Sequence, residues 1–463
     1  ETSILKTMLI AGVNVIRVNA SHQSDSESVK KTVQLVRRTA KRVGKEVGIF
    51  LDLQGPKFRI GNFKEDRIEI LEGADFTLTT DKVLGDKEMV SVNPKELVKG
   101  VKKGELIYIH DGKIRLLVKD VQTKTVTCTV EKGGVLTHRK GINLPTTRLS
   151  VSALTKKDKK DALLAVANKM DYIALSFVSY KQDIVDFRKY LDSIGGKKIK
   201  IIAKIEKQVA VDNVCEIIDV ADAVMVARGD LGVEIGFENV PRVQKKIIYE
   251  CNKRVRPVIV ATQMLDSMVK APVATRAEVS DVANAIYDNC DAVMLSDETA
   301  IGIDPSNVIK MINRICVATD IDMIQVKRRA PARKDIFSVK TTATSFCKAA
   351  DQIAEENEAS AIMTFTSSGN TPLIASKLNS IFPIIACTDN QLVCRQLTLC
   401  RGVIPVLLPK KFKDIYRWTD MINMGIREAK NRDLLHKDER LIVTAGRPIG
   451  VSHGINSIRL VVV

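Results

Sequence analysis

Long apolar runs alternate with helical patterns along most of the chain. In each run Val, Ile, Leu and Ala follow one another with few polar breaks, which is typical of strands buried on both faces of a parallel sheet. The stretches between the runs have apolar positions spaced three and four residues apart, which predicts helices. The seven predicted strands span residues 13–19, 47–53, 171–177, 198–205, 222–228, 257–263 and 291–296.

These alternating elements predict an α/β fold, a (β/α)₈ TIM barrel that is one strand short. We expect the first strand to precede Glu1, and a doubly wound open sheet is the alternative arrangement. Residues 61–146 instead carry short alternating segments separated by turn residues, which predicts an inserted all-β module. The catalytic barrel then comprises residues 1–60 and 147–322, and residues 323–463 form a C-terminal α/β regulatory domain.

Composition narrows the class of protein. The chain has 72 Lys+Arg against 55 Asp+Glu, a net charge of +17 that suits anionic substrates, but only 4% aromatic residues to stack on bases. We therefore expect no nucleic acid partner. Since no apolar run approaches the roughly 18 to 20 residues of a membrane span, we expect no membrane association. The nine scattered cysteines predict reduced thiols and a cytoplasmic protein.

Charged and polar residues collect where the predicted strands end, the edge at which barrel enzymes place their sites. Lys204 and Glu206 are two residues apart on one strand and therefore project to the same face. The next strand ends with Asp230, which brings a second acid to that edge. Structural ion pairs would explain these residues alone, but similar residues recur at neighbouring ends, namely Arg17, Asn19, Ser21, Asp52, Lys57, Arg59, Ser176, Thr262, Ser296 and Glu298.

This ring predicts a site that binds a metal ion and a phosphate together. Glu206 and Asp230 supply the hard oxygen ligands that suit Mg²⁺ or Mn²⁺. Arg17 and Lys204 supply positive charge that offsets a phosphoryl group during its transfer. Gly229 and Asp230 open a predicted short helix, whose N–H groups bind a carboxylate.

Six segments in chain order resemble motifs of the pyruvate kinase family. They are RVNASH at 17–22, DLQGPK at 52–57, KIE at 204–206, MVARGDLG at 225–232, ATQML at 261–265 and MLSDETA at 294–300. The resemblance extends along essentially the whole chain. It implies a glycolytic homotetramer that transfers the phosphoryl group of phosphoenolpyruvate to ADP, giving pyruvate and ATP.

The resemblance also implies roles for the matching residues, with Mg²⁺ held by Glu206 and Asp230. The implied catalytic residues are Lys204, Arg17, Thr262 and Ser296. The implied substrate ligands are Lys204, Gly229, Asp230, Thr262, Ser176 and Arg59. The inserted module, residues 61–146, is implied to be a small β-barrel that serves as a lid. The implied nucleotide ligands are His22, Arg17, Lys157 and the lid residue Asp111. A phosphorylated allosteric activator would bind the loop formed by Thr366, Ser367, Ser368, Gly369, Asn370 and Thr371.

Lys57 departs from the pattern of K⁺-dependent members, which resemble one another in having Glu at this position. The chain therefore resembles the K⁺-independent subtype, in which the lysine ammonium supplies the positive charge of K⁺. Asn19, Ser21, Asp52 and Leu53 preserve possible K⁺ ligands. We expect activity that needs Mg²⁺ but not K⁺.

Two other functions share some of these residues. A Mg²⁺-dependent barrel lyase or aldolase acting on pyruvate-like or oxaloacetate-like substrates would use Glu206 and Asp230, but needs no phosphate clamp of Lys204 and Arg17. A basic binding protein with a retired active site, holding for instance RNA, is the other alternative. Single residues also have structural explanations: helix capping for Thr262 and Ser296, a hairpin turn for Asp111, a solvated surface for Lys157, an ordinary turn for residues 366–371.

Overall fold

The structure is a computed structural model with three domains, whose strands and helices are numbered along the chain as β1 to β21 and α1 to α16. None of the helices it describes is long and apolar enough to cross a lipid bilayer. The described residues are 2–21, 25–93, 96–145, 147, 153–329, 337, 340–415, 417–446 and 454–463.

Seven parallel strands form the first domain, as the unbroken apolar runs predict. They are β1 (Val15–Asn19), β2 (Gly48–Asp52), β12 (Tyr172–Leu175), β13 (Lys200–Ile205), β14 (Ala223–Ala227), β15 (Val258–Ala261) and β16 (Ala292–Met294). Each strand pairs with the next one in this order. A doubly wound sheet would reverse its strand order partway, so this sequential winding confirms the barrel arrangement.

The strands β1 and β16 are the two edges of this sheet. A cavity of about 1120 Å³ lies between them, lined by residues of both strands that include Val15, Arg17 and Met294. The described sheet is therefore a barrel with one open seam.

Helices surround the barrel, and the longer ones bury apolar residues against it. In α2, for example, Asp25 accepts a hydrogen bond from the N–H of Ser28 to cap the helix, and Val29, Val33 and Val36 are buried. The helices are α1 (Thr2–Ala11), α2 (Ser26–Arg42), α4 (Lys156–Ala167), α5 (Lys181–Ser193), α6 (Gln208–Asp212), α7 (Val214–Val220), α8 (Arg228–Ile235), α9 (Val240–Lys253), α10 (Arg276–Tyr287), α11 (Asp297–Ala300) and α12 (Pro305–Arg329).

The lid is a closed barrel of seven short strands with a separate two-stranded ribbon. It already begins at β3, before residue 61, because Phe58 and Ile60 are buried in the lid core. The barrel strands are β3 (Phe58–Ile60), β5 (Asp75–Thr79), β6 (Met89–Asn93), β7 (Leu106–Ile109), β8 (Ile114–Val121), β9 (Thr125–Lys132) and β11 (Gly141–Asn143). The ribbon pairs β4 (Arg67–Ile70) with β10 (Gly134–Thr137), and α3 spans Glu96–Gly100.

The C-terminal domain is a five-stranded sheet in the order β19-β18-β17-β20-β21, of which only β21 runs antiparallel to its neighbour. Its strands are β17 (Ala361–Phe365), β18 (Ile384–Thr388), β19 (Val403–Leu407), β20 (Arg440–Ala445) and β21 (Ser457–Val462). Its helices are α13 (Thr342–Glu356), α14 (Asn370–Lys377), α15 (Gln391–Leu397) and α16 (Trp418–Lys430).

This domain packs against the N-terminal ends of the barrel strands through buried charges. Asp171, directly before β12, is 0% exposed and accepts hydrogen bonds from Arg37 at 2.6 Å and from Arg395 of α15 at 2.8 Å. The Tyr172 hydroxyl donates to the carbonyl oxygen of Gln396. These contacts leave the opposite, C-terminal ends of the strands free to build a site.

A second buried pair at this interface gives a stability prediction. Lys377, at the end of α14, pairs with Asp291 before β16, and both side chains are at most 2% exposed. Lys377→Met leaves that carboxylate buried without its cation, so we expect the free energy of unfolding to fall by about 3–5 kcal/mol. Lys189→Met is the control, because the pair of Lys189 with Asp186 is exposed. Equal losses in urea unfolding of the two variants would contradict the prediction.

Candidate active site

The C-terminal ends of β2, β12 and β13 bring polar groups together around the ammonium group of Lys204. Its Nζ lies 2.7 Å from Ser176 Oγ, 2.9 Å from Glu206 Oε1 and 3.1 Å from Asp52 Oδ1. Lys204 and Glu206 thus face the same side, as their two-residue spacing predicts. The Ser176 hydroxyl in turn donates to the carbonyl oxygen of Leu53 at 2.7 Å. One cluster of polar contacts therefore spans three neighbouring strands.

Burial shifts the pKa values of the charged groups in this cluster. The Glu206 side chain is 1% exposed and that of Lys204 is 12% exposed. Burial lowers the pKa of Lys204, but the charges of Asp52 and Glu206 outweigh it, so the net pKa lies above its usual value. Burial raises the pKa of Glu206, and the negative charge of Asp230 adds to that rise. A cation near both carboxylates would relieve this repulsion.

Arg17 extends the cluster to β1. Its Nε donates to Asp52 Oδ2 at 2.7 Å, and one terminal nitrogen lies 3.5 Å from Ser296 Oγ. Ser296 precedes α11, but its side chain makes no capping hydrogen bond there. Two cations, Arg17 and Lys204, therefore flank the buried carboxylate of Asp52, and the Ser296 hydroxyl lies beside one of them.

The start of α8 meets the residue that follows β15. A Cβ atom at Gly229 would lie 3.0 Å from Thr262 Cγ2, so only glycine leaves this approach unstrained. Thr262 has a φ of 77°, a left-handed conformation that β-branched residues rarely adopt. The first N–H groups of α8 and the Thr262 side chain thus border one small region, where a carboxylate can bind.

Asp230, in the first turn of α8, lies beside a cation from the segment that leads into the lid. Its Oδ1 is 3.3 Å from Lys57 Nζ, and both side chains are about one quarter exposed. Gly141 of β11 lies against the same lysine, because a Cβ there would be 3.1 Å from Lys57 Cε. Lys57 therefore lies between the lid and a candidate metal ligand.

The donor set around these residues suits a hard divalent cation. Among the described residues, no group of three or more His, Cys, Asp or Glu side chains is placed to hold a metal ion. Glu206 and Asp230 offer two carboxylates, and Mg²⁺ is commonly held by one or two carboxylates together with water and substrate oxygens. The residues present thus fit Mg²⁺ or Mn²⁺ completed by substrate.

Known proteins show strong similarity to the chain along its length. The family model "Pyruvate kinase, barrel domain" matches residues 1–309, and "Pyruvate kinase, alpha/beta domain" matches residues 344–461. The chain belongs to the pyruvate kinase family. The pyruvate kinase of Clostridium perfringens is 38% identical over 460 residues, covering 99% of this chain and 96% of the relative. That of Thermotoga maritima is 38% identical over 459 residues, again covering 99% and 96%.

A third relative, pyruvate kinase 2 of Synechocystis, is 39% identical over 464 residues, covering 99% of this chain and 76% of the relative. The resemblance drawn from the six motifs is therefore confirmed, and the chain is an enzyme of the pyruvate kinase family. The residue roles that the resemblance implies remain predictions.

Three of the four residues predicted as possible K⁺ ligands, Asn19, Asp52 and Leu53, have oxygens that already contact protein donors. Asn19 Oδ1 accepts a hydrogen bond from the N–H of Ser21 at 3.0 Å. The carbonyl oxygen of Leu53 accepts one from Ser176, and Asp52 binds the two cations described above. Any K⁺ ion would have to displace these contacts.

Two of the predicted ligands, Arg59 and Asp111, belong to the lid. Arg59 is on β3, and its guanidinium donates to the carbonyl oxygen of Arg139 at 3.0 Å. Asp111 is exposed at the turn between β7 and β8, with a φ of 55°. The next residue, Gly112, lies against Val233 of α8. The turn that carries Asp111 therefore reaches the helix that carries Asp230, as expected of a lid.

Lys157 lies near the segment predicted to bind nucleotide. Its Nζ donates to the carbonyl oxygen of Ala20 at 2.8 Å and to Asp161 Oδ2 at 2.6 Å. The residue therefore fixes the end of β1 and is not merely part of a solvated surface. His22 lies outside the described residues.

Two buried charged side chains have roles that the sequence analysis did not assign. Glu298, which is 2% exposed, accepts hydrogen bonds from the N–H of Ser296 at 2.7 Å and of Leu265 at 3.2 Å. Arg228 donates to the backbone of Thr262 at 2.7 Å. In the sequence, each is visible only as a charged residue that shortly follows an apolar strand.

The predicted effector loop, Thr366 to Thr371, joins β17 to α14. Gly369 has a φ of 87°, and its N–H donates to Thr366 Oγ1 at 2.9 Å. The N–H of Asn370 lies 3.4 Å from Ser368 Oγ. The loop thus offers hydroxyl groups beside the N-terminus of α14, an arrangement that can bind phosphate and that an ordinary turn also shares.

Proposed function

We propose that the chain transfers the phosphoryl group of phosphoenolpyruvate to ADP in glycolysis, with Mg²⁺ held by Glu206 and Asp230. The observation that carries this proposal is the position of Lys204, whose Nζ lies 2.9 Å from Glu206 and is separated from Arg17 only by the carboxylate of Asp52. Two cations beside a pair of acids suit a transferring phosphoryl group. A lyase acting on an enolate alone has no need of this clamp.

Each group then has a stated task. When bound, the metal ion would neutralise charge on the substrate and orient its oxygens. Lys204 and Arg17 stabilise the phosphoryl group as its bond to the enolate oxygen breaks and a bond to a terminal oxygen of ADP forms. Thr262 and the N–H groups of Gly229 and Asp230 bind the substrate carboxylate.

The second half of the reaction adds a proton to the enolate carbon and yields pyruvate. Thr262 and Ser296 lie beside the carboxylate region and Arg17 respectively, so we assign them to the path of this proton. Nucleotide binding is assigned to Arg17, Lys157 and His22, with Asp111 contributed by the lid. Closure of the lid excludes water, which otherwise accepts the phosphoryl group.

One assay separates the candidate functions. Purified chain, phosphoenolpyruvate, ADP and Mg²⁺ should yield equal amounts of pyruvate and ATP, and omission of either substrate should stop both. A lyase would release pyruvate from oxaloacetate without ADP, and a retired RNA-binding protein would form neither product. Either of these results would overturn the proposal.

We further propose that K⁺ is not required, because Lys57 places an ammonium group 3.3 Å from Asp230 and the candidate K⁺ oxygens of Asn19, Asp52 and Leu53 contact protein donors. Turnover in tetramethylammonium buffer should equal turnover in KCl. Lys57→Glu should lose most activity in tetramethylammonium and regain it with KCl, since a carboxylate there needs a counterion. Near-zero turnover of the unmodified chain that KCl restores would contradict the proposal.

We also propose that the chain forms a homotetramer in the cytoplasm. All nine cysteines lie in described segments as free thiols, which supports a reducing compartment.

Allosteric activation by a phosphorylated metabolite is assigned to the loop Thr366 to Thr371. A panel of sugar monophosphates, fructose bisphosphate and AMP should include one compound that lowers the KM for phosphoenolpyruvate. Unchanged saturation curves across the panel would count against this assignment.

A further inference from the structure

Arg228 joins β14 to α8, and its side chain extends beneath the segment that follows β15. The guanidinium is only 10% exposed, and one terminal nitrogen donates to the two carboxylate oxygens of Asp281 at 2.6 and 2.8 Å. Its other nitrogens donate to the carbonyl oxygens of Thr262, at 2.7 and 3.2 Å, and of Ala261 and Gln263, both at 3.3 Å. One guanidinium thus holds three successive carbonyl groups.

The segment that it holds is strained. Thr262 has a φ of 77° and Gln263 a φ of 55°, so two consecutive residues with side chains adopt the left-handed conformation. Such conformations persist only where the surrounding structure fixes them, and they concentrate at functional sites. Within the described residues no hydrogen bond uses the Thr262 hydroxyl, so the contacts to Arg228 hold the backbone of this residue rather than its side chain.

The chain next to Arg228 forms the other side of the carboxylate region. The residue after Arg228 is Gly229, whose N–H is a proposed carboxylate donor and which lies against the Thr262 side chain. We propose that Arg228 is a positioning residue: anchored by Asp281, it fixes the left-handed backbone that presents the Thr262 hydroxyl to the carboxylate of phosphoenolpyruvate. This inference rests on the role proposed above for Thr262.

Substitution of Arg228 by lysine tests whether the contacts of its guanidinium hold this segment. A single ammonium group cannot replace the planar fork that contacts a carboxylate and three carbonyl groups at once. Arg228→Lys should therefore raise the KM for phosphoenolpyruvate about ten-fold, since small displacements at a site cost this much or more. The KM for ADP should stay unchanged. Asp281→Asn keeps the arginine but removes the charge that anchors it, and it should also raise the KM for phosphoenolpyruvate. This variant provides the test if Arg228→Lys does not fold.

Arg37→Lys is the matched control. Arg37 also bridges a carboxylate, Asp171, and a carbonyl oxygen, that of Val47, but at the opposite end of the barrel. This variant should lower the melting temperature without changing the KM for phosphoenolpyruvate. If Arg37→Lys raised that KM as much as Arg228→Lys, or if Arg228→Lys left it unchanged, the positioning role would be overturned.

A double-mutant cycle with Thr262→Val shows whether Arg228 acts through this threonine. In the Thr262→Val background, Arg228→Lys should raise the KM for phosphoenolpyruvate by less than about two-fold, because the hydroxyl that it positions is gone. Full multiplication of the two single effects would overturn the inference. An unchanged KM for phosphoenolpyruvate in Thr262→Val alone would overturn the carboxylate role of Thr262 as well. A raised KM in Thr262→Val together with an unchanged KM in Arg228→Lys would overturn only the positioning role of Arg228.

Discussion

Replacement of Lys204 by methionine is expected to lower kcat for ATP formation by about 10³-fold or more. The ammonium group is the centre of the buried cluster, in contact with Ser176, Glu206 and Asp52. Its positive charge is needed most when negative charge moves between the oxygens of the transferring phosphoryl group. Initial rates of the coupled assay at saturating phosphoenolpyruvate, ADP and Mg²⁺ measure this effect.

The same variant also loses stability, because Glu206 and Asp52 lose their shared cation, although Asp52 keeps Arg17. We expect the free energy of unfolding to fall by about 3 kcal/mol. Lys200→Met is the matched control, since Lys200 starts the strand that Lys204 nearly ends and lies at the opposite end of the barrel. Its kcat should stay within about two-fold of the unmodified chain. Comparable kcat losses in both variants would show that the Lys204 effect is structural.

Neutralising either proposed metal ligand is expected to have the second large effect. Glu206→Gln and Asp230→Asn each remove one of the two carboxylates proposed to hold the metal ion, and we expect kcat/KM to fall by about 10³-fold. Because the two ligands act on one ion, the double variant should be scarcely worse than either single variant. Coupled assays across a range of Mg²⁺ concentrations measure these losses, and higher Mg²⁺ should recover part of the activity.

Asp222→Asn is the control for these variants. Asp222 directly precedes β14 at the opposite end of the barrel and binds Arg188 at 2.8 Å. This substitution should reduce stability without changing the Mg²⁺ concentration needed for half-maximal rate. The metal assignment is wrong if Asp222→Asn and Asp230→Asn shift that concentration equally.

Much of the fold was predictable because buried parallel strands have a strong hydrophobic pattern. All seven strands of the barrel lie within the predicted ranges, although the hydrogen-bonded parts are shorter, as with β16 at Ala292–Met294. The start of the lid was harder to predict. Phe58 and Ile60 are as apolar as barrel residues, and it is their burial in the lid core and the pairing of β3 with β6 and β11 that assign this strand to the lid.

The site was predictable where it depends on one strand. The two-residue spacing of Lys204 and Glu206 fixed their common face, and the observed 2.9 Å contact follows from it. Contacts between strands depend on register and side-chain conformation, which no local pattern encodes. For that reason the sharing of Asp52 by Arg17 and Lys204 was not foreseen. The backbone contacts of Arg228 were missed for the same reason.

The central claim is that Glu206 and Asp230 together hold one divalent ion within reach of Lys204. Electron paramagnetic resonance titration with Mn²⁺, in the presence of oxalate as a small dicarboxylate that mimics the substrate oxygens, tests it most directly. The account predicts one tight Mn²⁺ ion per chain, lost in Glu206→Gln and in Asp230→Asn but retained in Asp222→Asn. Unaltered Mn²⁺ affinity in either of the first two variants would contradict it.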